Sequence, residues 1–87
     1  MSSTAVDRLA IEPVALRAWA EAGHVFVELY DERVISFPAH KFARLARATP
    51  EQLAAVRVRA EGSALRWDEI DEDISIEGII RGVFELD

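Results

Sequence analysis

A chain of 87 residues supports one domain with a modest core, and 51% apolar with 30% charged residues is a globular rather than a disordered composition. The absence of cysteine excludes disulfide staples, thiolate zinc sites and cysteine nucleophiles together, and accords with a reducing compartment. The net charge of −6 is uneven: residues 1–60 carry eight Lys/Arg and seven Asp/Glu, residues 61–87 two Arg against nine carboxylates, so phosphates would be repelled from the C-terminal third.

Residues 1–8 are expected to fray, since Ser2, Ser3 and Thr4 offer nothing to bury, and residues 9–87 to form a single α+β domain. The pattern from Leu9 to Ala20 suits a first strand, with Val14, Leu16, Ala18 and Ala20 on one face and Arg17 and Trp19 on the other. Pro13 confines its start to a sheet edge or a strand entry. Glu21-Ala22-Gly23 turns the chain into the clearest strand, His24–Tyr30, where Val25, Val27 and Leu29 alternate with His24, Phe26 and Glu28. Asp31-Glu32 then reads as a tight turn into a third strand, Arg33–Pro38, which completes an antiparallel meander. A glycine at position 32 would suit a two-residue turn better, so a longer or differently shaped turn is the alternative.

Ala39–Arg47 is predicted as a short helix that buries Phe42, Leu45 and Ala46 and lines up Lys41, Arg44 and Arg47 as a basic face. Thr49-Pro50-Glu51-Gln52 carries a capping box and starts a second helix anchored by Leu53. Val56–Ala60 and Ala64–Trp67 form a second hairpin around Glu61-Gly62-Ser63, with Leu65 and Trp67 on one face. Asp68–Asp73 is expected to be a loop, too densely charged for a strand interior. Ser75 caps a final short helix with Ile76, Ile79, Ile80 and Val83 as its apolar stripe.

From Trp67 through Asp68-Glu69-Ile70-Asp71-Glu72-Asp73-Ile74-Ser75 to Ile80, the chain resembles the closing signature of a bacterial family of unknown function, DUF2442. Phe37-Pro38, Phe42-Ala43-Arg44-Leu45 and Ala48-Thr49-Pro50-Glu51-Gln52 fit the same family in the same order, so that the resemblance spans residues 9–82. Members of that family carry glycine after the aspartate of the second turn, where this chain has Glu32. The resemblance implies a compact α+β domain and no defined activity. Some relatives join a helix-turn-helix domain, and others are encoded beside a second small protein in an arrangement similar to toxin–antitoxin pairs.

The acidic run Asp68, Glu69, Asp71, Glu72 and Asp73 is the sharpest feature, and it has three readings. Asp71 and Asp73 can cap the last helix, which leads; the five can form the surface that meets a basic partner; or they can bind a hard cation, although the EF-hand glycine and spacing are missing. Trp67 underneath and Ser75 at the helix start would hold that segment in shape. Lys41, Arg44 and Arg47 can face phosphate or the acidic segment of a second copy, with a solvated face as the default. His24 and His40 belong to no catalytic motif, Ser36 and Ser63 lack a nucleophile elbow, and the glycines at 23, 62, 78 and 82 form no phosphate loop, so no cofactor is expected.

No apolar run approaches the roughly 18 residues of a membrane span. The opening Met1–Arg8 lacks the layout of a signal peptide, so a cytoplasmic protein is expected. The leading expectation is a non-enzymatic interaction module, antitoxin-like or regulatory, that binds a small basic protein. A nucleic-acid-associated regulator is the second reading, a small enzyme or metal protein the third. Monomer and homodimer both fit.

Overall fold

The computed structural model describes residues 14–82. The predicted fraying of residues 1–8, the strand start at Leu9–Pro13 and the place of Val83 in the last helix lie outside these residues. The order is β1 (Ala15–Glu21), β2 (His24–Leu29), β3 (Val34–Pro38), a 3₁₀ turn (Ala39–Lys41), α1 (Ala43–Ala46) and α2 (Pro50–Ala54). Then come β4 (Arg57–Arg59), a second tight turn (Ala60–Gly62), β5 (Ala64–Trp67), β6 (Glu72–Ser75) and α3 (Ile76–Ile80). The strands make two three-stranded antiparallel sheets, β1-β2-β3 and β4-β5-β6. The predicted second hairpin is present and gains a third strand.

β2 follows its alternation: Val25, Val27 and Leu29 are buried, and Phe37 joins them from β3. β1 departs from it. Between Ala15 and Arg17 the register shifts, so Leu16 is the extra residue of a bulge. Ala15 turns into the core in its place, and Leu16 is half exposed rather than inward. The second turn takes the longer form. The Leu29 carbonyl accepts from the Glu32 amide at 2.9 Å, and the Arg33 carbonyl accepts from the Leu29 amide at 2.8 Å. Those bonds enclose a three-residue loop whose last position is left-handed, and Glu32 sits there at φ 76°.

Ala39–Arg47 is two pieces instead of one helix. Phe42 is extended (φ −118°, ψ 128°) and places its ring edge-on against Phe37 at 5.4 Å. Burying that ring breaks the helix; Leu45 stays buried and Ala46 faces solvent. The capping box of α2 forms as read, with the Gln52 amide donating to Thr49 Oγ1 (3.1 Å) and the Thr49 amide to Gln52 Oε1 (2.9 Å).

Leu53, Leu65, Trp67, Ile74, Ile76 and Ile79 complete the core, while Ile80 is partly exposed. Gly62 is the point where the sheets press together. At φ 91° it adopts a left-handed backbone, and a Cβ there would clash with Val14 and lie 2.9 Å from the Ala15 carbonyl oxygen.

Candidate functional site

The acidic segment begins where β5 ends. Residues 68–71 form a turn closed by the Asp71 amide on the Asp68 carbonyl (3.2 Å), with Asp71 left-handed at φ 54°. The segment is not loop throughout: Glu72 and Asp73 are the first residues of β6. A strand sends successive side chains to opposite faces. Asp73 therefore joins the outer face, whereas Glu72 shares a side with Trp67 and Ile74 and is only 14% exposed. Four of the five carboxylates, Asp68, Asp71, Glu72 and Asp73, have a counter-charge, which is why this density is tolerated in a strand.

That counter-charge is mostly Arg66. On the outer face of the second sheet, Arg57 on β4 pairs with Arg66 on β5, and Arg66 with Asp73 on β6. Two arginines side by side would repel. Asp68 bridges them: its Oδ2 accepts from Arg57 Nε at 2.8 Å, and its Oδ1 accepts from Arg57 Nη2 at 3.2 Å and Arg66 Nε at 3.1 Å. Arg66 Nη1 donates to Asp73 at 2.8 Å and Nη2 to Asp71 at 2.9 Å, so one guanidinium holds three aspartates. Hydrogen bonds from Arg57, then from Arg66, hold the Asp68 carboxyl below the usual aspartate range. Bonds to Asp71 and Asp68 raise the Arg66 pKa in turn.

The remaining carboxylates point elsewhere. Glu69 accepts from Gln52 Nε2 at 3.1 Å, tying the turn to α2. Arg44 from α1 donates to the Asp71 carbonyl and lies 3.9 Å from Glu72. Beneath them Trp67 is buried, and its Nε1 donates to the Leu53 carbonyl at 3.1 Å. Ser75 caps α3 by accepting from the Gly78 amide at 2.9 Å. Asp71 and Asp73 do not cap that helix, contrary to the leading sequence reading, because both are turned toward Arg66. The predicted basic face is not one face either. The break at Phe42 separates Lys41 from Arg44 and Arg47, and Arg44 is engaged by the acidic segment of its own chain.

Chemically, the corner is a net-negative patch whose carboxylates are cross-linked through an arginine. The Asp68, Asp71 and Asp73 side chains are 58%, 79% and 61% exposed while anchored from below by an arginine that is itself 17% exposed. A guanidinium occupies the centre of the cluster, where a cation would otherwise sit. Among the described residues no group of three or more His, Asp and Glu side chains is arranged to hold a metal ion. Arg66 and Arg57 were not singled out in the sequence; their signal was the shared outward parity of Arg57, Arg66 and Asp73 across a hairpin.

A second feature is a half-open depression of about 390 Å³ beneath the β1–β2 turn, walled largely by Ala20, Gly23, Ala39, Leu45 and Leu53, with Glu21 and His40 the ionisable ones among the described lining residues. Its walls offer methyl groups and no convergent polar set. No helix among the described residues is long and apolar enough to cross a membrane.

Two antiparallel sheets joined at a glycine, with an arginine-centred acidic corner, define a small α+β domain. Residues 15–85 match the family described as protein of unknown function (DUF2442), and the chain belongs to that family. It is similar to a protein of unknown function from Rhodospirillum rubrum, whose crystal structure superposes with a TM-score of 0.82 at 31% identity, over 87% of this chain and 94% of that one. An uncharacterised protein from Chromobacterium violaceum, solved by NMR, shares the fold with a TM-score of 0.75 at 21% identity, over 98% of this chain and 80% of that one. No curated protein matches the chain.

Proposed function

We propose that the protein is a non-enzymatic interaction module whose acidic corner docks a basic segment of a small partner protein, in an antitoxin-like or regulatory role. One observation carries the reading: Arg66 fixes Asp68, Asp71 and Asp73 in place while their outer surfaces stay exposed. Side-chain order that binding would otherwise have to impose is already built in, so a lysine- or arginine-rich partner meets a preformed surface. The antitoxin-like part rests on the family resemblance alone.

The nucleic-acid reading draws on Lys41, Arg44 and Arg47. It is weakened because Arg44 is held at Asp71 and Glu72 and the three cations share no helix face. A gel shift at low salt separates the two readings: retardation of DNA would favour the basic residues.

The acidic reading is tested by recovering the tagged protein from its host at moderate salt. A small basic protein in stoichiometric amount, released as salt rises, is the expected result. Asp71→Asn/Asp73→Asn bait should lose it while staying folded with a somewhat lower melt, since asparagine tolerates the left-handed backbone at 71 and still accepts from Arg66. Bait recovered alone, or equal retention by the variant, contradicts the reading.

A further inference from the structure

The outer face of the first sheet carries a stacked aromatic pair flanked by charge. Because Val25, Val27 and Leu29 point inward, the outward residues fall into three rows across β1, β2 and β3: Arg17–Glu28–Val34, Trp19–Phe26–Ser36 and Glu21–His24–Pro38. The centre is aromatic. Trp19 stacks on Phe26 with centroids 5.6 Å apart and planes within 6°, the Arg17 guanidinium lies 4.5 Å over the Trp19 ring, and the His24 ring is 6.4 Å from Phe26. Val34 at the rim is half exposed.

The geometry points to a second copy of this chain as the occupant, seated face to face about a two-fold axis that crosses the strands along the Trp19–Phe26–Ser36 row. The charge pattern selects that axis. Such a rotation exchanges the two outer rows, so Arg17 meets the partner copy's Glu21 position, Glu28 meets the His24 position, and Val34 meets the Pro38 position. The aromatic row meets itself on the axis, and every contact between the exchanged outer rows is made twice. Among the described residues Glu21 has no ion pair, and Arg17 is bonded to Glu28 at 2.6 Å, with capacity left on its remaining N–H groups. A two-fold axis along the strands would instead set Glu28 against Glu28 and Trp19 against Ser36, losing both the charge match and the stack. The selected arrangement is an aligned two-sheet packing with antiparallel central strands.

Three strands about 4.8 Å apart and three rows about 6.8 Å apart give a face on the order of 300 Å². That is smaller than the ~800 Å² per partner of a standard interface, so the dimer is weak and concentration-dependent. This face is separate from the acidic corner, and the inference stands whatever the corner binds.

Sedimentation velocity of the full chain from about 10 µM to about 1 mM covers the range such an interface implies. The wild type should move from monomer toward dimer. Glu21→Arg and Arg17→Glu, each with a native circular-dichroism melt, should stay monomeric alone, because each sets like charges together twice. An equimolar mixture of the two should dimerise, since both crossed pairs become attractive. A wild type that remains monomeric at the top of the range, single variants that associate like the wild type, or a mixture no better than its parts would each overturn the proposal. So would a mixed-sequence single-stranded oligonucleotide that binds the face while the protein stays monomeric.

Discussion

The two sheets share a topology and a core but are held together differently. In the first, strands of five to seven residues bury Val25, Val27, Leu29 and Phe37, and the outer face is a stacked aromatic pair with a single ion pair beside it. In the second, strands of three and four residues supply few rungs, and the outer face is an arginine–aspartate lattice above one buried tryptophan. Short strands bury little, so charge pairing and a side-chain bond to α2 supply the order that length gives the first sheet. The lattice is thus structural and leaves a charged surface as its outward side.

The largest break in the comparison comes from Trp67→Ala. It removes the apolar anchor of the second sheet and the bond to Leu53, and should cost about 3–5 kcal/mol. A chemical melt should show loss of most of the domain's stability; if full truncation prevents folding, Trp67→Phe is the milder test, removing the bond to Leu53 and part of the ring at about 1–3 kcal/mol. Gly62→Ala severs the junction between the sheets. Forcing a Cβ against Ala15 in a left-handed backbone should cost about 2–4 kcal/mol, read the same way.

Arg66→Met sharpens the difference, because it removes the counter-charge of three carboxylates and nothing from the first sheet. Native-state hydrogen exchange should show β5 and β6 amides opening earlier, with β1 and β2 protection kept. High salt should weaken the wild-type lattice and narrow the gap between wild type and variant.

Acid acts on the same side. The Asp68 carboxyl titrates lower in the folded chain than in the unfolded one, so its contribution is complete above the ordinary aspartate value near ~4 and is lost as pH falls through the depressed folded value. Asp68→Asn should flatten that part of the acid limb in a pH series of melts; an unchanged limb would show that Asp68 does not couple to folding.

The smallest effect is a gain. Glu32→Gly relieves a non-glycine residue at φ 76° in the first sheet's loop and should stabilise by about 1 kcal/mol, visible as a higher Tm.

What could be read from the sequence was whatever depended on neighbours along the chain. The alternation of β2, the Thr49 capping box, the Ser75 cap and the shared face of Leu65 and Trp67 all follow from local spacing. What could not be read depended on partners distant in sequence. The bulge at Leu16 is set by pairing with β2, the break at Phe42 by the Phe37 ring, and β6 by an arginine that neutralises Asp73 from the adjacent strand. The five carboxylates were visible as a group, but their division into Asp68, Asp71 and Asp73 on Arg66, Glu69 on Gln52 and Glu72 beside Arg44 required the fold.

The most direct test compares two baits from the native host at moderate salt, one altered on each outer face: Asp71→Asn/Asp73→Asn and Trp19→Ser/Phe26→Ser. The expected result is a small basic protein retained by the aromatic variant and lost by the acidic one. Loss from the aromatic variant with full retention by the acidic variant would contradict the assignment of the acidic corner as the binding surface.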